Sequence, residues 1–240
     1  MELRLSAIVI GKRETGETDR LYSLYTRELG KVRAKAIGVR KPAAKLASAL
    51  ETLTLSDVTV VRGKGAGRIA GSIAEETFPN IRADFAALSL ALSTVAEFDA
   101  VVGLEQPDEE LFSLLLEYLS LLDEVVGNGS DTSVTTLLTE AFFVKFLDIL
   151  GYRIEAEACA VSGDRVRSGE RCFFSPSAGG IVTEAHAGRD AVRIGENAVK
   201  LIRLFLGHRL RSLLKVRAGA TDLAEVGRIR TGFLRYALGK

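Results

Sequence analysis

The apolar residues of this chain change period once, near residue 80, and that change limits the folds open to it. Before it, apolar side chains alternate in short runs at residues 4–10, 21–25, 32–39, 52–61 and 68–77. Leu3, Leu5, Ala7 and Val9 share one face of the first run, and Leu53, Leu55, Val58 and Val60 stand among Thr, Ser and Asp in the fourth. Strand side chains point alternately to opposite faces. Five such runs with glycine-containing turns predict a small antiparallel barrel. An OB-fold matches that count best, and a five-stranded SH3-like barrel satisfies the same pattern.

Beyond residue 80 the spacing is helical. Phe85, Leu88, Leu92, Val95 and Ala96 recur at helical intervals, and Asp108-Glu109-Glu110 opens a second helix with the acidic first turn its dipole favours. That helix continues over 111–126 and stops at Gly127-Asn128-Gly129. Residues 135–150 are apolar nearly all round, the mark of a core helix, and Gly151 ends them. Periodicity is lost over 155–189, then returns in two helices predicted at 197–216 and 221–238. The fold class expected is α+β: a barrel over 1–78, then a helical domain over 79–240 with a loop-rich insert at 155–189.

Length and composition agree with this. Two hundred and forty residues suffice for about two domains. With 47% apolar residues, 26% charged residues and only 4 prolines, the chain is not of the disordered class. Its longest uncharged apolar stretch, residues 85–96, is too short to cross a bilayer. Charges at Glu2, Arg4, Lys12 and Arg13 bracket the apolar residues 7–10, so no signal peptide is expected. Two cysteines make no disulfide framework, which points to a reducing cytoplasm.

The net charge of +1 conceals three unlike blocks. Residues 1–73 carry +7, residues 74–158 carry −14, and residues 159–240 carry +8. Two basic flanks suggest a polyanionic partner, while the acidic middle also allows the blocks to neutralise one another. Catalysis finds little support. There are two histidines, His186 and His208, and no Gly-x-Ser-x-Gly or His-Glu-x-x-His pattern. The cluster Gly63-Lys64-Gly65-Ala66-Gly67-Arg68 lacks the Gly-Lys-Ser/Thr ending of a phosphate loop and reads as a hairpin turn.

The basic residues of the barrel concentrate between residues 20 and 45. Arg20, Arg27, Lys31, Arg33, Lys35, Arg40, Lys41 and Lys45 lie there, and Lys31, Arg33 and Lys35 fall on one side of a strand. Such a row suits a phosphate backbone and predicts salt-sensitive, sequence-tolerant binding. Tyr25 and Tyr22 are candidate stacking groups for bases, with barrel packing as the other role open to them.

Three motifs in this segment resemble the opening of the RecO family of bacterial recombination mediators. They are Glu17-Thr18-Asp19-Arg20-Leu21, Tyr25-Thr26-Arg27-Glu28-Leu29-Gly30-Lys31-Val32 and Ala36-Ile37-Gly38-Val39-Arg40-Lys41. The likeness of plan covers the whole chain. It implies an OB-fold that binds single- and double-stranded DNA and anneals complementary strands. It also implies two partners, RecR and the acidic tail of single-strand DNA-binding protein, so that RecA is loaded, with the protein near the nucleoid. Many members of the family carry four zinc-binding cysteines in the insert. The matching positions here read Cys159, Ser162, Thr183 and His186, a degenerate set of which two are poor zinc ligands. No cofactor is therefore expected, with Phe173, Phe174 and Ile181 holding the insert and the cysteines reduced and inert.

A second basic feature lies near residue 200. On one continuous helix, Lys200, Arg203, Arg211 and Lys215 share an arc opposite Ile202, Phe205, Leu206 and Leu213. A cationic stripe beside apolar side chains suits a short acidic, hydrophobic peptide. The function expected is a non-enzymatic DNA-binding mediator of repair. The other reading is a protein adaptor that docks acidic peptides without binding DNA.

Overall fold

A computed structural model describes residues 1–39, 47–63, 66–167 and 169–239. The five alternating runs are strands β1 (Glu2–Thr15), β2 (Asp19–Thr26), β3 (Gly30–Ala36), β4 (Leu55–Val61) and β5 (Gly67–Glu76). They close into a barrel in the order β1-β2-β3-β5-β4, an OB-like arrangement. Antiparallel ladders join β1 to β2 and to β4, β2 to β3, and β4 to β5. Closure between β3 and β5 is parallel and brief, limited to Ala34↔Gly67 and Lys35↔Arg68. The inward set of the alternation fills the barrel: Leu5, Ala7, Val9, Tyr22, Leu24, Val32, Ala34, Val58, Val60 and Ile69. Val61 pairs with Arg68, so the strands on either side of the glycine cluster are antiparallel neighbours; Lys64 and Gly65 of the predicted turn lie outside the described residues.

Three helices follow: α1 (Pro79–Ala83), α2 (Phe85–Val101) and α3 (Glu109–Gly127). Asp84 caps α2 by accepting from the Ala87 amide at 2.8 Å, and Asp108 caps α3 by accepting from Leu111 at 2.9 Å. Part of the acidic block is thus consumed in capping. The chain divides into two compact units, Met1–Asn128 and Gly129–Lys240, whereas the division read from the period change falls after residue 78. The reason is packing. Phe98 of α2 meets the Tyr25 ring edge-on at 4.8 Å, and Phe112 of α3 stacks on it at 6.4 Å. Gly30, at φ +66°, lies so close to the 106–107 backbone that a Cβ would fall 2.0 Å from the Gln106 carbonyl oxygen.

The second unit holds α4 (Thr132–Ile149), a three-stranded sheet of β6 (Cys172–Ser175), β7 (Gly180–Thr183) and β8 (Val192–Ile194), then α5 (Glu196–Gly207), α6 (Leu210–Leu213) and α7 (Ala220–Ala237). As its all-round apolarity predicts, α4 buries eleven residues, Glu140 among them. The sheet corrects the reading of 155–189 as loop, because strands of three or four residues are too short to display an alternation. Phe174 and Ile181 are buried in it, and Phe173 is half-buried. The single helix predicted over 197–216 is also corrected. It ends at Gly207, His208 is extended at φ −129° and ψ 153°, and α6 begins at Leu210. Among the described residues no helix is long and apolar enough to cross a membrane.

Candidate nucleic-acid interface

Strand β3 sets the geometry of the basic row. Its burial pattern leaves Arg33 exposed and Lys35 half-exposed, with Val32, Ala34 and Ala36 turned into the barrel. Lys35 is in register with Arg68 of β5, which is also exposed. Register partners and i,i+2 neighbours share a face, so Arg33, Lys35 and Arg68 form one cationic outer patch. Arg68 is the member that sequence reading missed. No local signal gave it away: its antiparallel neighbour is β4, and only the parallel closure of the barrel sets it beside β3. Lys35 pairs with Asp19 at 2.8 Å, and Asp19 also accepts from the Gly38 amide at 2.8 Å. These bonds hold the Asp19 carboxyl below its usual range. Arg20 is half-buried and 3.9 Å from Glu14. Arg40, Lys41 and Lys45 lie outside the described residues.

Two of the expected contacts are corrected. Lys31 does not lie on the outer face; its side chain is 8% exposed. Its ammonium pairs with Asp99 at 2.9 Å and donates to the Asp99 carbonyl at 2.6 Å, at the C-terminal turn of α2. That carbonyl cluster and the helix dipole favour a cation there. Tyr25 is 1% exposed between Phe98 and Phe112, and Tyr22 is fully buried. Burial pushes both phenols up. Neither ring can stack on a base, because helix and barrel packing have already covered it.

The second predicted stripe disperses. With the helix broken at Gly207, residues on either side no longer share one rotation, so Lys200, Arg203, Arg211 and Lys215 do not form one arc. Lys200 pairs with Glu196 at 3.0 Å, and Arg203 donates to the Ala156 carbonyl at 2.6 Å with Glu157 at 3.7 Å. Both line a cleft of about 110 Å³ with Arg167 and Glu170. Arg211 sits on α6. Lys215 lines a different cleft, about 500 Å³, floored by Val134, Leu137 and Leu214.

The degenerate set in the insert does converge. Cys159 Sγ stands 3.8 Å from His186 Nδ1, which is 3.0 Å from Thr183 Oγ1. Both cysteines are free thiols, and both are buried. Burial pushes the Cys159 thiol up, but hydrogen bonds from Ser162, by amide and hydroxyl, and from the Thr183 and Val161 amides outweigh it. They bring it down to about 6. The thiol is held as thiolate near neutrality while the side chain stays buried. A site with one thiolate, one imidazole and two hydroxyls does not fit zinc. Among the described residues no group of three or more His, Cys, Asp or Glu could hold a metal ion. Because folding lowers this pKa from 9.0, the thiolate's contribution to stability is full above that value and gone once pH falls through about 6. Between those limits, the difference in unfolding midpoint between the parent and Cys159→Ser is expected to shrink as pH falls. Urea titrations at stepped pH measure it.

The comparisons with known proteins agree with this architecture. Residues 1–78 match the family model described as "Recombination protein O N terminal", and residues 82–240 match "Recombination protein O C terminal". A protein of Desulfitobacterium hafniense (strain DSM 10664 / DCB-2) is 31% identical over 98% of this chain and 84% of its own length. One from Dehalococcoides mccartyi (strain ATCC BAA-2266 / KCTC 15142 / 195) is 29% identical over 100% and 92%. A third, from Heliobacterium modesticaldum (strain ATCC 51547 / Ice1), is 32% identical over 94% and 81%. Each of the three is named "DNA repair protein RecO". With both halves matched and full-length relatives at this identity, the chain belongs to the RecO family of DNA repair proteins.

Proposed function

We propose that this chain is a non-catalytic, cofactor-free DNA-binding mediator that holds single- and double-stranded DNA by the phosphate backbone and anneals complementary strands. The observation carrying this reading is the outer patch of Arg33, Lys35 and Arg68 on the strands that close the barrel. Cations on a rigid sheet neutralise phosphates without selecting bases. Neutralising two strands at once removes the repulsion that keeps them apart, so annealing needs no ATP. With Tyr22 and Tyr25 buried, base stacking on them plays no part. Membership in the family supports partnership with RecR and with the acidic tail of single-strand DNA-binding protein, and so the loading of RecA in the cytoplasm at the nucleoid.

A second reading, the adaptor, has one specific observation in its favour. Several cations of the first block are already paired with the acidic block: Arg27 with Glu109 at 3.0 Å, Arg62 with Glu105 at 3.1 Å, and Lys31 with Asp99. Fluorescence anisotropy of a labelled single-stranded oligonucleotide at several salt concentrations separates the two. Binding is expected, and Arg33→Glu/Lys35→Glu/Arg68→Glu is expected to weaken it about tenfold or more. The slope of log affinity on log salt should become shallower by about 0.7 for each phosphate that the variant no longer neutralises. No binding at low salt leaves the adaptor.

A further inference from the structure

Strands β3 and β5 pair only at Ala34↔Gly67 and Lys35↔Arg68, and beyond those pairs a groove of about 380 Å³ opens in the barrel wall. Arg33 of β3 lines it, and so does Arg62, the residue that follows β4. Val61 is the register partner of Arg68, so Arg62 stands one residue from the cationic patch. Glu105 is the only acid among the described lining residues, and its carboxylate pairs with Arg62 at 3.1 Å. The segment that carries Glu105 is tied on both sides. Val102 is buried and its amide donates to the Phe98 carbonyl at 3.1 Å, while the 106–107 backbone lies against Gly30. Between those ties Leu104 is 50% exposed, and Glu105 stands in the left-handed region at φ 53° with its amide donating to the Lys31 carbonyl at 2.8 Å.

We propose that Arg62 is a further phosphate contact of the barrel face, and that Glu105 holds its guanidinium as a stand-in for the phosphate until DNA displaces it. This deepens the DNA-binding reading and rests on it. Three observations carry it. Left-handed backbone is unfavourable for a residue with a Cβ and persists where surrounding contacts impose it. Here the bond to Lys31 fixes that conformation, and the result is a carboxylate against Arg62. The pair is also exposed on both sides, Arg62 at 45% and Glu105 at 64%, so its exchange for an incoming anion costs little. Finally, a guanidinium that takes a carboxylate takes a phosphate by the same donors. The Lys31–Asp99 pair differs on the second point, because Lys31 is 8% exposed and beyond the reach of a polyanion. Removing the Glu105 charge therefore strengthens DNA binding, and does so only through Arg62.

The test is a double-mutant cycle of Glu105→Gln and Arg62→Gln in the full chain, read by anisotropy of a labelled single-stranded oligonucleotide at several salt concentrations. Both side chains are exposed, so neither change disturbs the core. Glu105→Gln is expected to tighten binding about two- to threefold. Arg62→Gln is expected to weaken it about threefold and to make the slope of log affinity on log salt shallower by about 0.7, the loss of one phosphate contact. In the Arg62→Gln background, Glu105→Gln should change affinity by less than about 1.3-fold. Glu110→Gln removes the same charge from the first turn of α3 and should stay within about 1.3-fold of the parent. Equal tightening by Glu110→Gln, or by Glu105→Gln in the absence of Arg62, reduces Glu105 to general repulsion and overturns the proposal. So does a salt slope that Arg62→Gln leaves unchanged. A parent that fails to bind at low salt overturns the DNA reading and this proposal with it, whereas a parent that binds while Glu105→Gln changes nothing overturns this proposal alone.

Discussion

Lys31→Ala is expected to destabilise the protein by about 3 kcal/mol while leaving the DNA affinity of the folded protein unchanged. The side chain is buried against α2, its ammonium shared between the Asp99 carboxylate and the Asp99 carbonyl. Truncation leaves a half-buried carboxylate and a helix C-terminus without their cation, and creates a void at the junction of barrel and helix. A loss of that size lowers the thermal midpoint by about 10 °C, which calorimetry resolves. Arg33→Glu, two residues along the same strand, should behave oppositely: ordinary stability and weakened oligonucleotide binding. Equal loss of DNA affinity in both variants would show that Lys31 reaches solvent. The double variant Lys31→Met/Asp99→Leu should recover most of the lost stability, because apolar side chains of similar size replace a buried pair at little cost.

Glu140→Ala should cost the second unit a comparable amount, about 3–5 kcal/mol, seen as a shift in urea midpoint without a change in slope. Glu140 on α4 accepts from Arg230 Nε of α7 at 3.0 Å, with both side chains about one-tenth exposed. The Arg230 guanidinium also lies 4.1 Å over the Phe143 ring. Gly227 belongs to the same device. A Cβ there would fall 2.9 Å from Glu140 Oε1, so glycine makes the room that the carboxylate needs. Without Glu140, Arg230 is a buried cation lacking that carboxylate, and the pair no longer offsets the desolvation of its charge. Glu140→Leu/Arg230→Met should again be much closer to the parent than either single change.

Both pairs bear on the charge blocks. Lys31–Asp99 and Arg230–Glu140 each join a basic block to the acidic one, so part of the near-zero net charge is internal wiring of each unit. Composition alone could not divide the basic residues into those that hold helices and those that face solvent. Lys31, Arg33 and Lys35 obey one two-residue period. Yet one is enclosed by α2 while the other two stay on the surface, because the edge of β3 near Gly30 is covered and its far end is not.

The sequence by itself determined the five barrel strands, the long helices α2, α3 and α4, and the order of barrel before helices, but not the short sheet β6–β8 or the break between α5 and α6. Alternation and glycine turns placed all five barrel strands, and the acidic run Asp108-Glu109-Glu110 marked the start of α3. These are local properties, encoded in backbone preference and in the period of neighbouring side chains. It determined the candidate surface only in part: Arg33 and Lys35 were legible, Arg68 was not. Tertiary structure alone decided the rest. It brought Arg68 beside Lys35 by a parallel closure that no local pattern encodes, and it buried Tyr25 under two helices from distant sequence. It also broke the helix at Gly207, dispersing a stripe that depended on one unbroken rotation. Exposure is a property of what packs against a residue, and the partners that cover Lys31 and Tyr25 lie some 68 to 87 positions away in the chain.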